Sequence, residues 1–187
     1  MTTQTSSALS DPAYAVPTGP AGESGLAWLR HHVPRFTNGA RHARLRTAVE
    51  AVIAAVDDAP YTADPTTTLL TALGLPRHHK SDVERVAGAY QPHVEQSAAA
   101  DAAADRLLAA CGGRTDDAAA KVCVLVQAHA GITALLATTD GPPIPRTRRV
   151  GPDGDVEVDL ADAPFGAGAH RCPGERLGRR LAEEAGA

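Results

Sequence analysis

The chain has 187 residues, 43% of them hydrophobic, and a formal net charge of −4. This length sets a prior of one domain with a real core, and the hydrophobic share excludes wholesale disorder. Charges of both signs are interspersed, so there is neither a basic footprint for nucleic acid nor a polybasic stretch for an anionic membrane.

Most of the apolar content is alanine, leucine and valine, with Trp28, Phe36, Phe165 and three tyrosines as the aromatic residues. Alanine is the best helix former and aromatic residues favour strands, so the bias predicts a mainly α protein. Cys111, Cys123 and Cys172 are an odd number without framework spacing, which argues against a disulfide scaffold. No apolar run reads as long enough for a membrane span, and the first residues hold no apolar signal core. The expectation is a soluble, cytoplasmic protein.

In chain order, residues 1–24 are rich in Ser, Thr, Pro and Gly and read as a disordered tail. From Gly25 a single domain is expected to run to the end of the chain, opening with Leu26, Leu29 and Val33 at helical spacing before Pro34. Asn38-Gly39 marks a turn. Beyond it Leu45, Val49, Val52, Ile53 and Val56 form the stripe of an amphipathic helix. Pro65 opens a short helix closed by Gly74 and Pro76, and another is expected over Ser81 to Tyr90. The Ala-rich stretch after Ser97 is helical by propensity and stops at Gly112-Gly113. Thr115-Asp116 then opens a helix that is apolar almost all round from Val122 to Leu136, hence the central buried one. Arg146–Val150 and Asp155–Val158 predict a small hairpin around Pro152-Asp153-Gly154. Irregular backbone is expected over Pro164 to Gly174, and a last helix over Glu175 to Glu184.

That irregular segment carries the chemistry. In PFGAGAHRCPGERL, a single cysteine stands among glycines just before a helix. Glycines let backbone approach a planar group, and a helix N-terminus favours the thiolate, the form that binds metal. Cys172 taken alone reads better as a buried cysteine in a tight turn. Its neighbours extend the pattern: Phe165, Gly168, His170, Cys172 and Gly174 fit F-x-x-G-x-[HR]-x-C-x-G. This resembles the cysteine-ligand loop of cytochrome P450 enzymes. WLRHHVPRFTNGARHARLRTAV is similar to the early helical region of actinobacterial-type members, and PPIPRTRRVGPDGDVEV to a later segment.

The resemblance implies a truncated P450-like helical fold with a small β-hairpin and a Cys-ligand loop before the last helix. It implies haem b as cofactor, with Cys172 as axial ligand of the iron. Phe165 would pack near the sulfur, Gly168 and Gly174 complete the loop, and His170 reach a propionate. An axial thiolate pushes electron density to iron and favours O–O cleavage. His42 and Arg46, at i, i+4 spacing on one helix face, match the pair that contacts the propionates. Arg149 is the expected third propionate partner, with Arg148 the alternative.

Departures from the family pattern are local. Its Glu-x-x-Arg helix has no counterpart before PPIPRTRR, the stretch between Val158 and Pro164 is short, and the family's terminal hairpin does not follow the cysteine helix in the residues to Ala187. Aligned on Gln127-Ala128, the central helix puts His129 at a small residue over the haem, Gly131 at the proton-delivering acid and Ile132 at the threonine. A shift of one residue offers Thr133 as the oxygen-side alcohol but supplies no acid. His129 has two readings, a distal ligand of the iron or a core histidine bonded to a backbone carbonyl. His31-His32 and His78-His79 read as surface pairs, and Cys111 and Cys123 as structural.

Two functions follow from the resemblance. One is a haem-thiolate oxidoreductase, a monooxygenase or peroxide-dependent oxidase of a small molecule in secondary metabolism, with a ferredoxin-type electron donor. The other is a non-catalytic haem binder, a remnant or an accessory protein of a full-length P450, with oligomerisation covering the surfaces that the deletions expose. A helical protein that folds poorly and binds no haem is the third possibility.

Overall fold

A computed structural model describes residues 2–19, 22, 23, 25–91 and 93–186. The helices are α1 (Gly25–His31), α2 (Gly39–Val56), α3 (Pro65–Ala72), α4 (Lys80–Ala89), α5 (Ala98–Ala110), α6 (Asp116–Ala137) and α7 (Glu175–Gly186). The strands are β1 (Thr2–Gln4), β2 (Arg146–Gly151) and β3 (Gly154–Asp159), in the sheet order β1-β3-β2.

Helix ends follow their capping chemistry. The Asp64 carboxylate accepts from the Thr67 N–H at 3.0 Å ahead of Pro65, Ser97 accepts from Ala100 at 3.2 Å, and Thr115 from Ala118 at 3.1 Å. After α3, Gly74 takes φ +70° and the Leu75 N–H closes back on the Leu70 carbonyl at 2.8 Å, an ending that an L side chain would strain. No side-chain cap forms at α2, because Asn38 is engaged elsewhere. Its amide both accepts from and donates to the backbone of Val16, at 3.0 and 3.1 Å.

The main core is helical, with α6 at its centre, packed against α2, α4 and α7. Leu26, Leu29, Leu70, Val83, Leu107, Leu108, Leu125 and Leu181 are fully buried in it. Mainly alanine, leucine and valine fill this core, so helices approach closely through small side chains. One expectation is corrected here. By length and composition alone α6 could cross a membrane, since its alanines and valines raise the mean hydropathy of an 18-residue window to 1.6. In the fold its N-terminal half is core and its C-terminal half borders a cavity.

The sheet is larger than the hairpin expected from the sequence. β2 and β3 pair antiparallel as anticipated, and β1 adds in parallel with Thr2 opposite Val156. Residues 2–19, read above as a disordered tail, are therefore docked. Ala8 and Leu9 pack with Val156, Val158 and Leu160 in a second small core, and Val16 is buried as well. The physical reason is that β3 offers a free edge. The polar Thr-Thr-Gln strand needs little more than backbone pairing to occupy it. Between α6 and β2 the chain forms no helix, as expected from the missing Glu-x-x-Arg segment.

Candidate haem-binding cavity

Loop 164–174 is built by short backbone bonds. The Cys172 N–H donates to the Phe165 carbonyl at 2.8 Å, Gly166 to Ala163 at 2.8 Å and Arg171 to Gly168 at 3.1 Å. A 3-10 turn spans Gly168–His170, with Gly168 at φ +63°. A Cβ on Gly168 would lie 2.8 Å from the Leu9 carbonyl oxygen, so this glycine is required where the loop meets the N-terminal segment. At Gly174 a Cβ would make only an ordinary 3.7 Å contact with Ile53. The Phe165 ring lies under the Arg179 guanidinium, 4.5 Å from its centroid.

The loop forms one wall of a cavity of about 750 Å³, within the ~300–1,000 Å³ usual for small-molecule and cofactor sites. Cys172, Phe165, His170 and Gly174 line it from the loop, His42 and Arg46 from α2, and Arg148 and Arg149 from β2. The residues singled out in the sequence around the cysteine thus converge from three elements. Gly168 is outside the lining and acts through the docking contact just described.

Several of these groups are polar, buried and short of partners. Arg149 is 4% exposed. Its Nη1 donates to the Arg148 carbonyl at 2.9 Å and Thr147 Oγ1 at 3.4 Å, and among the described residues no carboxylate pairs with it. Burial, then the charge of Arg35, lowers its pKa to about 10. The His42 and His170 rings lie 4.0 Å apart, and His42 Nε2 is buried without a partner. Burial and then the neighbouring cations His42, Arg149, Arg35 and Arg46 lower His170 to about 3, so it is neutral across the physiological range. Arg46 bonds Glu50 at 2.6 Å and the Ala169 carbonyl at 3.3 Å, tying α2 to the loop.

The Cys172 thiol is exposed to the cavity. Its pKa is nonetheless raised, because the protein walls cost the thiolate more hydration than the Gly174 N–H and the positive charge of Arg46 and Arg171 return. The expected lowering by loop and helix terminus is present as a contribution and is outweighed by desolvation.

The central helix corrects two expectations. Its lining stripe is Val124, Gln127, Ala128, Gly131, Ile132 and Leu135, with Cys123 and Ala130 at its margins. At 100° per residue His129 falls off that stripe toward α3, where its Nδ1 meets Thr66 Oγ1 at 2.9 Å. It is half-buried, bonded to a hydroxyl rather than a carbonyl, and does not line the cavity. Thr133 is exposed and also lies outside it. Neither residue is placed to act as distal ligand or oxygen-side alcohol. Cys123 is buried as anticipated but does border the cavity, accepting from Gln127 Nε2 at 3.2 Å.

The histidine pairs are not all superficial. His79 is buried, with Nδ1 3.1 Å from the Asp82 carboxylate, itself bonded by Arg106 at 2.5 Å. His32 stacks on Trp28, centroids 3.9 Å apart. Sequence reasoning passed over Arg35, another cavity residue. Its only signal was a cation just after Pro34, in the turn leading to the His42–Arg46 helix.

No protein-family model matches the sequence, and no curated protein does. Among solved structures, the fold is similar to P450BioI, determined in complex with an acyl carrier protein ligated to hexadec-9Z-enoic acid. The TM-score is 0.69 at 15% identity, covering 96% of this chain and 81% of that one. It is also similar to CxnD, a P450 enzyme for C–S bond formation in chuangxinmycin biosynthesis, with a TM-score of 0.60 at 15% identity over 96% and 76% of the two chains. The chain therefore has a cytochrome P450-like fold.

Proposed function

We propose that this chain is a haem-thiolate protein that binds haem b on Cys172 and oxidises a small organic molecule. The observation that supports it most directly is Arg149, buried without a carboxylate partner in the cavity that Cys172 lines. A buried unpaired guanidinium is unfavourable unless an anion completes it. The residues present fit haem: Arg149 and Arg46, with His42 and His170 between them, suit two propionates, and Cys172 supplies the axial sulfur. When bound, a thiolate-ligated haem iron supplies the capacity to activate O2 or peroxide.

The protein's own residues set how that happens. Cys172 must give up its proton to bind metal, and since desolvation raises its pKa, binding releases a proton at neutral pH. The Phe165 carbonyl fixes the Cys172 backbone and thereby the sulfur's position. His42 Nε2 gains the partner it lacks when a propionate arrives. On α6, the lining residues Gln127, Ala128, Gly131, Ile132 and Leu135 include neither acid nor alcohol. A side-chain proton relay from this helix is absent among the described residues, which favours peroxide-dependent oxidation, or haem binding without catalysis, over O2-driven monooxygenation. A ferredoxin-type donor, or an accessory role beside a full-length P450, belongs to this proposal, as does a cytoplasmic location. A protein partner is in keeping with the acyl carrier protein bound to P450BioI.

The test is to add hemin to the expressed chain, reduce it and record the carbon monoxide difference spectrum beside Cys172→Ala. A thiolate-type band that disappears in the variant is expected. Failure to take up hemin, or a band indifferent to the substitution, would refute the proposal.

A further inference from the structure

Five arginines line the cavity, and two of them are already paired, Arg46 with Glu50 and Arg146 with Glu157 at 3.1 Å. Arg35, in the 3-10 turn Pro34–Phe36, is different. It has no carboxylate partner among the described residues. Its guanidinium lies 5.5 Å from the centroid of the Phe36 ring, which in turn packs tilted against Tyr90 at 5.1 Å. Tyr90, from the end of α4, lines the same cavity and is 3% exposed, yet its hydroxyl has no hydrogen-bond partner.

A charged donor and a neutral donor from separate elements therefore border one space, in which the Tyr90 hydroxyl has only the weakly accepting Cys123 sulfur near it. Burial lowers the Arg35 pKa, only partly offset by Tyr90 and Cys123; burial, then the neighbouring Cys123 thiol, raises Tyr90 well above a phenol's ordinary value. Both shifts describe groups deprived of water. The surfaces beyond them, Val49, Ile53, Val124, Ile132 and Leu135, are apolar. Such a space suits an apolar body ending in one anionic group, and a planar guanidinium matches a planar carboxylate with two parallel hydrogen bonds.

We propose that Arg35 and the Tyr90 hydroxyl form a carboxylate-binding subsite of this cavity, which selects ligands with an apolar body and a carboxylate group. The inference deepens the haem proposal by assigning a ligand class to the same cavity, but the subsite stands whether or not haem binds. The carboxylate proposed is that of a free organic acid, and a porphyrin propionate is the competing occupant that the test tells apart.

The experiment is calorimetric titration of the full chain with octanoate and with octanol, and separately with hemin and hemin dimethyl ester. Arg35→Gln, Arg35→Lys and Tyr90→Phe are compared with the unmodified protein. A charge-assisted pair predicts at least about a tenfold preference for octanoate over octanol, lost in Arg35→Gln and partly kept in Arg35→Lys. Tyr90→Phe should weaken octanoate several-fold and leave octanol alone. Should Arg35→Gln fail to fold, the Lys and Phe variants still decide the matter. If instead the substitution erases only hemin's advantage over its dimethyl ester, Arg35 is a propionate contact and the organic-acid subsite is overturned. Equal losses for acid and alcohol, or no preference in either pair of ligands, would overturn the subsite. Octanoate preference without hemin uptake would refute the haem proposal alone.

Discussion

Arg30 and Arg149 are both buried arginines, and their surroundings differ completely. Arg30, 1% exposed in the helical core, donates to the carbonyls of Tyr90, Ala89 and Gln91 at 3.0, 2.6 and 2.8 Å. Arg149, equally buried beside the cavity, reaches one adjacent carbonyl and one distant hydroxyl. The same contrast runs through the rest of the molecule. Asp82 is completed by His79 and Arg106, whereas His42 Nε2 and the Tyr90 hydroxyl are left without partners. Arg30 and Asp82, far from the cavity, hold the chain together, while Arg149, His42 and Tyr90 around it are short of partners. His31 Nε2 and Arg180 Nε and Nη2, buried and unpartnered away from the cavity, are exceptions to the contrast.

Substitutions should separate the two populations. Arg30→Ala strands three carbonyls at the end of α4 and is expected to destabilise by about 4 kcal/mol in chemical denaturation. Asp82→Asn should cost about 1 kcal/mol near neutral pH, less because Arg106 is half-exposed and screened. Burial alone would raise the Asp82 carboxyl, but hydrogen bonds from Arg106 and His79 outweigh it and hold it low. That stability is present above the unfolded carboxylate value, about pH 4, and lost as pH falls through the folded one. Wild type and Asp82→Asn should therefore converge in acid.

His170 works through pH from the other region. Its folded pKa is depressed to about 3. Between about pH 6.5 and 3 the unfolded chain takes up a proton that the folded one refuses, and stability falls as pH falls. His170→Gln should flatten that acid limb, read as the denaturation midpoint against pH. Arg149→Met is expected to change stability by no more than about 1 kcal/mol without a ligand, in either direction, since it removes an uncompensated charge. A loss as large as that of Arg30→Ala would break the comparison. Smallest of all, Lys121→Ala, which removes an i, i+4 pair with the exposed Asp117 on α6, should lie within about 0.5 kcal/mol.

Helix boundaries were legible because capping is local: Asp64-Pro65, Ser97 and Thr115 announce their helices within four residues of sequence. The cysteine loop was legible for a related reason, since its glycines and prolines leave few other conformations. Rotation about α6 was not. Its apolar residues surround the helix, so no stripe told which side would meet the cavity; Thr133 was expected there and lies outside, and of the two readings of His129 the distal ligand fails. β1 escaped because Thr-Thr-Gln has no apolar alternation, and its partner is an edge formed by residues far along the chain. Arg35 escaped because a lone arginine in a turn reads as solvated surface until Tyr90 and Arg149 are seen around the same space.

The pairing of β1 with β3 also fixes an order of events. Helices α1 to α6 and their contacts are complete in the chain well before β3 exists, so the helical core can form while synthesis continues. Thr2 must then wait unpaired for Val156 to be made. Only afterwards can Leu9 settle against Gly168 and the cysteine loop close its wall. A pause or premature stop downstream of α6 would leave a folded helical body with its N-terminal strand unpaired, an edge open to other chains.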